Sequence, residues 1–298
     1  MEESTVKGLN ISICTLLLIL SFISSKISAN EFRVGTWNIA WLGDGVNDTL
    51  PRTADDLKRL QKYVDKLSAD VVALQEMENE IAFHSIFDKS EWEVFLSSRN
   101  SRQCTGFAVR KSFLDSVNIQ QQADYDALHT GQGLRYGTDI KVIYPDNTTI
   151  RLLSIHLKAG CFDETDLSED SNQGWNENAC QKLSRQIQPL KNWIATRFAE
   201  DVPFVIAGDW NRRMNMSGDI FWTELTNGLD GKLHRTGSVN RHTLCNARNP
   251  IPPIDHIVIG GGLEEITDSF REITYSEVME QRKKISDHCP ISIEIKVP

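Results

Sequence analysis

Six polar clusters recur along the chain, each at or beside a short apolar run. They are Thr36-Trp37-Asn38, Leu74-Gln75-Glu76, Ser154-Ile155-His156, Ala207-Gly208-Asp209-Trp210-Asn211, Asp255-His256 and Ser286-Asp287-His288. A carboxylate at a strand end is most often a turn or a helix cap, so no single cluster means much. In order, they make a set of carboxylates, amides and imidazoles with no nucleophilic Ser or Cys. Such an oxygen-rich set without thiolate suits a hard cation: Mg²⁺, Mn²⁺ or Ca²⁺. Histidines beside carboxylates can move protons to and from oxygens near neutral pH. The chemistry this describes is cation-assisted attack of water on a phosphoryl centre. Zinc is disfavoured, because the histidines lie far apart and no cysteine pair has CxxC spacing.

The elements that must position these groups are mostly short apolar runs. Strands are expected at Phe32–Ile39, Val71–Gln75, Glu93–Leu96, Phe107–Arg110, Ile140–Tyr144, Ile150–His156, Phe204–Ala207, Ile254–Ile259 and Ile291–Lys296. Val71-Val72-Ala73-Leu74 and Phe204-Val205-Ile206-Ala207 are apolar on both faces, as in strands covered on both sides. Helical spacing joins Ala54, Leu57, Leu60, Val64 and Leu67, with Pro51 in the first turn. It also joins Leu183, Ile187, Leu190, Ile194 and Phe198, where Pro189 should bend or break the helix. A third helix should start at Ser217-Gly218 and run through Phe221, Trp222 and Leu225. This alternation predicts two mixed sheets packed face to face with helices outside, a four-layer α/β sandwich. The stretch from Cys161 to Ala179 has neither period and reads as a long functional loop.

The chain has 298 residues and a formal charge of −9. That charge does not advertise a nucleic-acid partner, nor does it exclude one, since a few local Arg and Lys can hold a phosphodiester. Lys7, the apolar run Ile11–Ile23, the polar stretch Ser24–Ser28 and the small Ala29 at a plausible cleavage point read as a signal peptide, the alternative being an uncleaved anchor. The run is shorter than the roughly 20 residues a bilayer span needs. The expected organisation is therefore an exported protein with a signal peptide at 1–29 and one domain from Asn30 to Pro298. In an oxidising compartment Cys161 and Cys180 are expected to bridge their loop. Cys104, Cys245 and Cys289 are left unassigned.

The ordered set of Trp37-Asn38, Gln75-Glu76, His156-Leu157, Gly208-Asp209-Trp210-Asn211, Ile254-Asp255-His256 and Ser286-Asp287-His288 resembles the endonuclease/exonuclease/phosphatase superfamily, the deoxyribonuclease I-like enzymes. The resemblance covers nearly the whole chain after residue 29 and implies a role for each residue. Glu76 would be the principal metal ligand, with Asn38 and Asp287 nearby. Asp255 would orient and charge His288, which handles the proton of the attacking water. Asp209 would position water or a metal, Asn211 would donate to the phosphate, and His156 would be a second acid/base or phosphate ligand. Arg135 stands where deoxyribonuclease I-like enzymes keep a phosphate-binding arginine. There are departures. Ala40 stands where abasic-site endonucleases carry an acid. The glutamate that pairs with the first histidine of deoxyribonuclease I is replaced, by spacing, by about Gln103.

Arg212-Arg213 could clamp a phosphate chain, or form a solvated turn. The acidic loop Asp163, Glu164, Asp166, Glu169 and Asp170 lacks the spacing of a calcium loop. Asp255 lacks the Arg-bearing surroundings of inositol phosphatases, and no exposed aromatic pair suggests the membrane docking of sphingomyelinases. The expected function is a monomeric Mg²⁺-dependent nuclease acting on DNA or RNA, with no stable protein partner implied. Its rivals are a phospholipid phosphodiesterase, an inositol-phosphate phosphatase, and a non-catalytic module that kept the fold.

Overall fold

A computed structural model describes residues 31–99, 101–163, 165, 167, 177–229, 233–237, 241–243, 245 and 250–298. The leader at 1–29 and the acidic positions 164, 166, 169 and 170 lie outside them. The described strands are β1 (Glu31–Leu42), β2 (Val71–Met77), β3 (Trp92–Leu96), β4 (Cys104–Arg110), β5 (Asn118–Gln121), β6 (Thr138–Ile143), β7 (Thr149–His156), β8 (Phe204–Asp209), β9 (Leu233–Arg235), β10 (Asp255–Gly260), β11 (Glu264–Glu265), β12 (Arg271–Glu272) and β13 (Ile291–Lys296). The helices are α1 (Ala54–Leu67), α2 (Glu80–His84), α3 (Lys111–Leu114), α4 (Glu177–Ala199), α5 (Ile220–Thr226) and α6 (Met279–Arg282).

One sheet runs β11-β13-β1-β2-β4-β3, with β12 also on β13; the other runs β5-β6-β7-β8-β10-β9. Each is mixed and built around one parallel pair, β1 with β2 and β7 with β8. The sheets pack face to face. Alternate residues (Val71 and Ala73, Val205 and Ala207, Ile150 and Leu152) enter the core between them. The intervening residues face outward: Val72 and Leu74 meet Leu60, Tyr63 and Val64 of α1. Phe204 and Ile206 meet Leu183, Leu190 and Ile194 of α4. A strand buried on both faces shows no polar alternation, so these runs read as uniformly apolar.

All nine expected strands form. The short β5, β9, β11 and β12 were not legible, because such strands depend on a paired neighbour more than on their own pattern. Three helix details differ from expectation. Pro51 lies ahead of α1 and not in its first turn: Thr53 caps the helix, and a reciprocal capping box with Asp56 satisfies two backbone N–H groups. Asp219, not Ser217-Gly218, caps α5 by accepting from Trp222 N at 2.8 Å. α4 runs unbroken through Pro189. Its apolar face, from Leu183 to Ile194, is buried in the outer core, and that burial outweighs the roughly 3 kcal/mol an interior proline costs.

Cys161 and Cys180 are bonded, as are Cys245 and Cys289, while Cys104 is a buried free thiol. Each bridge should contribute about 3–4 kcal/mol by restricting the unfolded chain. Non-reducing peptide mapping should recover both pairs, and Cys104 should be alkylated only after denaturation. Free Cys161 and Cys180 in oxidised, folded protein would refute the pairing.

Candidate active site

The inter-sheet core changes character toward one end. Following the inward-facing parity, apolar residues give way to a polar layer. Gln75 bonds Thr36 and Ser154 at 3.3 Å, and Thr105 bonds Thr138 at 2.8 Å. The next inward positions are Asn38 on β1, His156 on β7, Asp209 on β8 and Asp255 on β10. β1, β2, β7 and β8 deliver their C-terminal ends to this rim. β10 and β13 are antiparallel to their neighbours, so they deliver their N-terminal ends, with Asp287 and His288 just ahead of β13. His156 is in register with Asp209, and Asp209 with Asp255. Glu76 breaks the parity. The β1–β2 and β2–β4 registers shift around it, and its φ of 61° turns the carboxylate into the rim. Ala40, Trp41 and Asn211 also have φ near 50–57°. Non-glycine residues in that region cost about 1–3 kcal/mol each and cluster where surrounding structure enforces them.

Asp209 Oδ2 is the hub. It accepts from Asn38 Nδ2 at 3.0 Å and lies 3.4 Å from His156 Nε2 and 3.7 Å from His288 Nε2. Asn38 Nδ2 also reaches Glu76 Oε1 at 3.3 Å, and Glu76 Oε2 accepts from Trp41 N at 3.1 Å. His288 Nδ1 meets Asp255 Oδ2 at 2.8 Å. Burial pushes the Asp209 carboxyl up to about 7, against the pull of His288 and of its hydrogen bonds. For His288, burial opposes the charge, but Asp255 and Asp209 outweigh it and hold the imidazolium well above the usual range. His156 goes the other way: burial, then Arg135 and His288, drive it well below.

Other positions depart from the sequence reading. No amide orients His156. Its Nδ1 is buried without a partner, while the Gln103 backbone N–H donates to Ser101 Oγ. Arg135 is at the site but buried, which lowers it to about 10. Its Nη2 donates to the Leu157 carbonyl at 2.7 Å, which also takes Asn211 Nδ2 at 3.1 Å. Asp287 is exposed and shares a pocket with Glu76. Arg212 is no substrate clamp. It is 1% exposed, pairs with Asp219 at 2.7 Å and donates to the Cys161 carbonyl. Arg212→Ala should therefore cost about 3–5 kcal/mol of stability by stranding a buried carboxylate. A melting curve close to that of the unmodified protein would contradict this role.

Two residues that position the site, Arg52 and Arg241, carry no sequence signal, and a third, Ser286, stands in a motif with no role attached. Arg52 donates to the carbonyls of Ile39, Ala40, Trp41, Lys284 and Ile285, tying the end of β1 to the loop before His288. Ser286 Oγ donates to the Asn38 carbonyl at 2.7 Å and accepts from His288 N. Arg241 Nη2 donates to the Asp255 carbonyl at 2.8 Å. His256, its neighbour in the motif, is structural: burial lowers it to about 3, and Nε2 lies 2.9 Å from the Arg212 carbonyl.

The donor set fits a hard divalent cation. Ligand atoms of Asp209, Asp255 and His288 lie within 4.8 Å of one another, with Glu76 and Asn38 adjoining. Asn38 Oδ1 is already engaged by Ala40 N at 3.0 Å, so its amide nitrogen faces the carboxylates. Carboxylates crowded in a desolvated rim leave negative charge that a cation would compensate.

A rim of this composition across two face-to-face mixed sheets is that of a phosphoric-ester hydrolase. The chain belongs to the Endonuclease/Exonuclease/phosphatase family, whose sequence profile matches residues 35–288. No curated protein sequence matches the chain. Among solved structures it is similar to D. rerio TDP2 complexed with a single-strand DNA product (TM-score 0.62, 20% identity, covering 90% of this chain and 99% of that one). The human Nocturnin catalytic domain with a bound sulfate anion is similar at TM-score 0.59 and 12% identity, covering 90% and 94%. A Bacteroides vulgatus endonuclease/exonuclease/phosphatase matches at TM-score 0.56 and 16% identity, covering 90% and 99%. At these identities the likenesses establish the fold.

Proposed function

We propose that the protein is an exported, divalent-cation-dependent nuclease that hydrolyses phosphodiesters of DNA or RNA. The observation that carries this reading is the 2.8 Å Asp255–His288 pair, whose free nitrogen faces Asp209 beside Asn38, Glu76 and His156. Glu76 and Asp287 would hold the cation, Mg²⁺ or alternatively Mn²⁺ or Ca²⁺, and Asn38 would join them through Oδ1 once its amide turns from Ala40 N–H toward the rim. Bound there, the cation supplies positive charge and Lewis acidity at the phosphate. Asp255 and Asp209 hold His288 charged in the cation-free site, and positive charge bound among these carboxylates would favour the neutral ring. Neutral His288 Nε2 then takes the proton of the attacking water, which Asp209 orients. Asp255 fixes the ring and stabilises its charge. Asn211 would donate to the phosphate through the amide N–H that the Leu157 carbonyl does not take, the buried Arg135 adds positive charge near Asp209 and Glu76, and His156, kept neutral by burial, would donate a hydrogen bond to the same phosphate.

Nucleic acid is favoured over lipid because the exposed large apolar residues among those described, Val46, Ile81, Met216 and Val278, include no aromatic pair for docking on a membrane. The likeness to a TDP2 bound to single-strand DNA product agrees with this choice. Two disulfides suit an oxidising compartment and so support export after cleavage near Ala29, leaving one catalytic domain from Asn30 to Pro298 that acts as a monomer. Purified protein should cleave plasmid DNA, single-stranded DNA or RNA with Mg²⁺, and EDTA should abolish this. Activity confined to sphingomyelin or inositol phosphates would overturn the reading, and N-terminal sequencing of exported material tests the leader.

A further inference from the structure

Beside the dyad opens a pocket of about 200 Å³ that no role above uses. Pro252, Pro253 and Ile254 give it an apolar lining, and Phe162 contributes an aromatic one. Asp255 and His288 line it as well, so it is continuous with the reacting centre. Its two arginines are braced. Arg213 pairs with Asp163, and its guanidinium lies 5.8 Å from the Phe162 ring centroid. Arg241 lies 4.7 Å from the Phe270 ring while donating to the Asp255 carbonyl. The Nε of each arginine is buried with no hydrogen-bond partner. Phe162 is also held in place: its carbonyl accepts from Arg213 N at 2.8 Å, and it follows the bridged Cys161.

We infer that this pocket receives one unpaired nucleobase of the substrate, that of the nucleoside on the dyad side of the scissile phosphate. The inference rests on the nucleic-acid reading above and adds a strand preference to it. Pockets for drug-sized ligands run roughly 300–1,000 Å³, so this smaller one takes a single ring system. A base offers apolar faces to the prolines and Phe162, and carbonyl and ring-nitrogen acceptors to the guanidinium groups of Arg213 and Arg241 that line the pocket. A base inside a duplex is stacked on both faces and paired on its edge, so it must be extruded before it can enter. Single-stranded or frayed substrate is the consequence. Because every base has an aromatic face, the pocket selects strand state more than sequence.

The experiment compares kcat/KM on a short single-stranded oligodeoxynucleotide, its duplex, and an analogue with an abasic sugar on the dyad side. Bis(p-nitrophenyl) phosphate serves as a control for phosphodiester hydrolysis. The single strand should exceed both the abasic analogue and the duplex by about tenfold, mostly through KM. Phe162→Ala should narrow the ratio between base-bearing and abasic substrates, with melting temperature reporting its folding. Equal rates on base-bearing and abasic strands, with the control cleaved, would overturn the pocket while leaving the phosphodiesterase reading intact. Cleavage of the control with none of any nucleic acid would overturn both the substrate assignment and the pocket.

Discussion

His288→Ala should lower kcat/KM by roughly 10²–10⁴-fold, the usual worth of a positioned general base. Asp255→Asn should fall in the same range. His288 Nδ1 lies 2.8 Å from Asp255 Oδ2. The carboxylate therefore fixes the tautomer that leaves Nε2 facing Asp209, and it stabilises the ring once charged. An amide can offer its nitrogen to the ring and hold the opposite tautomer, and it brings no charge to the imidazolium. Because the two residues share one task, the double variant should be little worse than the worse single one. Measuring kcat/KM for both singles and the double, with melting temperatures alongside, decides the matter. Multiplicative losses, or losses that track melting temperature, would mean that Asp255 and His288 serve packing and not catalysis.

Glu76→Gln should raise the Mg²⁺ concentration for half-maximal activity by at least about 10–100-fold, since even groups one step removed from a bound metal are worth that much. The substitution keeps the shape and the capacity to accept from Trp41 N–H, while removing a charge from a rim that already crowds Asp209 and Asp255. The melting temperature without metal should therefore hold or rise. Metal titrations of activity and direct calorimetric binding should agree on the shift. Unchanged Mg²⁺ dependence in Glu76→Gln would remove this carboxylate from the ligand set.

The leading motif residues were legible as polar groups that close apolar runs, and the strand geometry brings them together. Asn38, His156, Asp209 and Asp255 continue the inward parity of Val34, Leu152, Val205 and Ile257, so a polar side chain at the next inward step must lie at the open end of the core. Glu76 was legible as a motif residue, but strand parity does not bring it to the rim. By parity it belongs on the outer face with Val72 and Leu74, and only the bulge and its left-handed backbone redirect it. Nor does the sequence separate Arg212 from Arg213. The two are adjacent in sequence, yet one is sealed against Asp219 and the other lines the pocket beside the dyad.

The sequence by itself determined the two-sheet sandwich, its outer helices and the order of polar groups along the rim. Those features follow from periodicity and local chemistry, which each segment carries within itself. The tertiary structure decided which of these groups touch, which arginine is buried, and that Arg52, Ser286 and Arg241 hold the strand ends carrying Asn38 and Asp255 and the loop carrying His288 in place. Contacts of that kind join residues from 13 to 248 positions apart through backbone carbonyls, and a carbonyl belongs to every residue alike, so no side-chain pattern announces them.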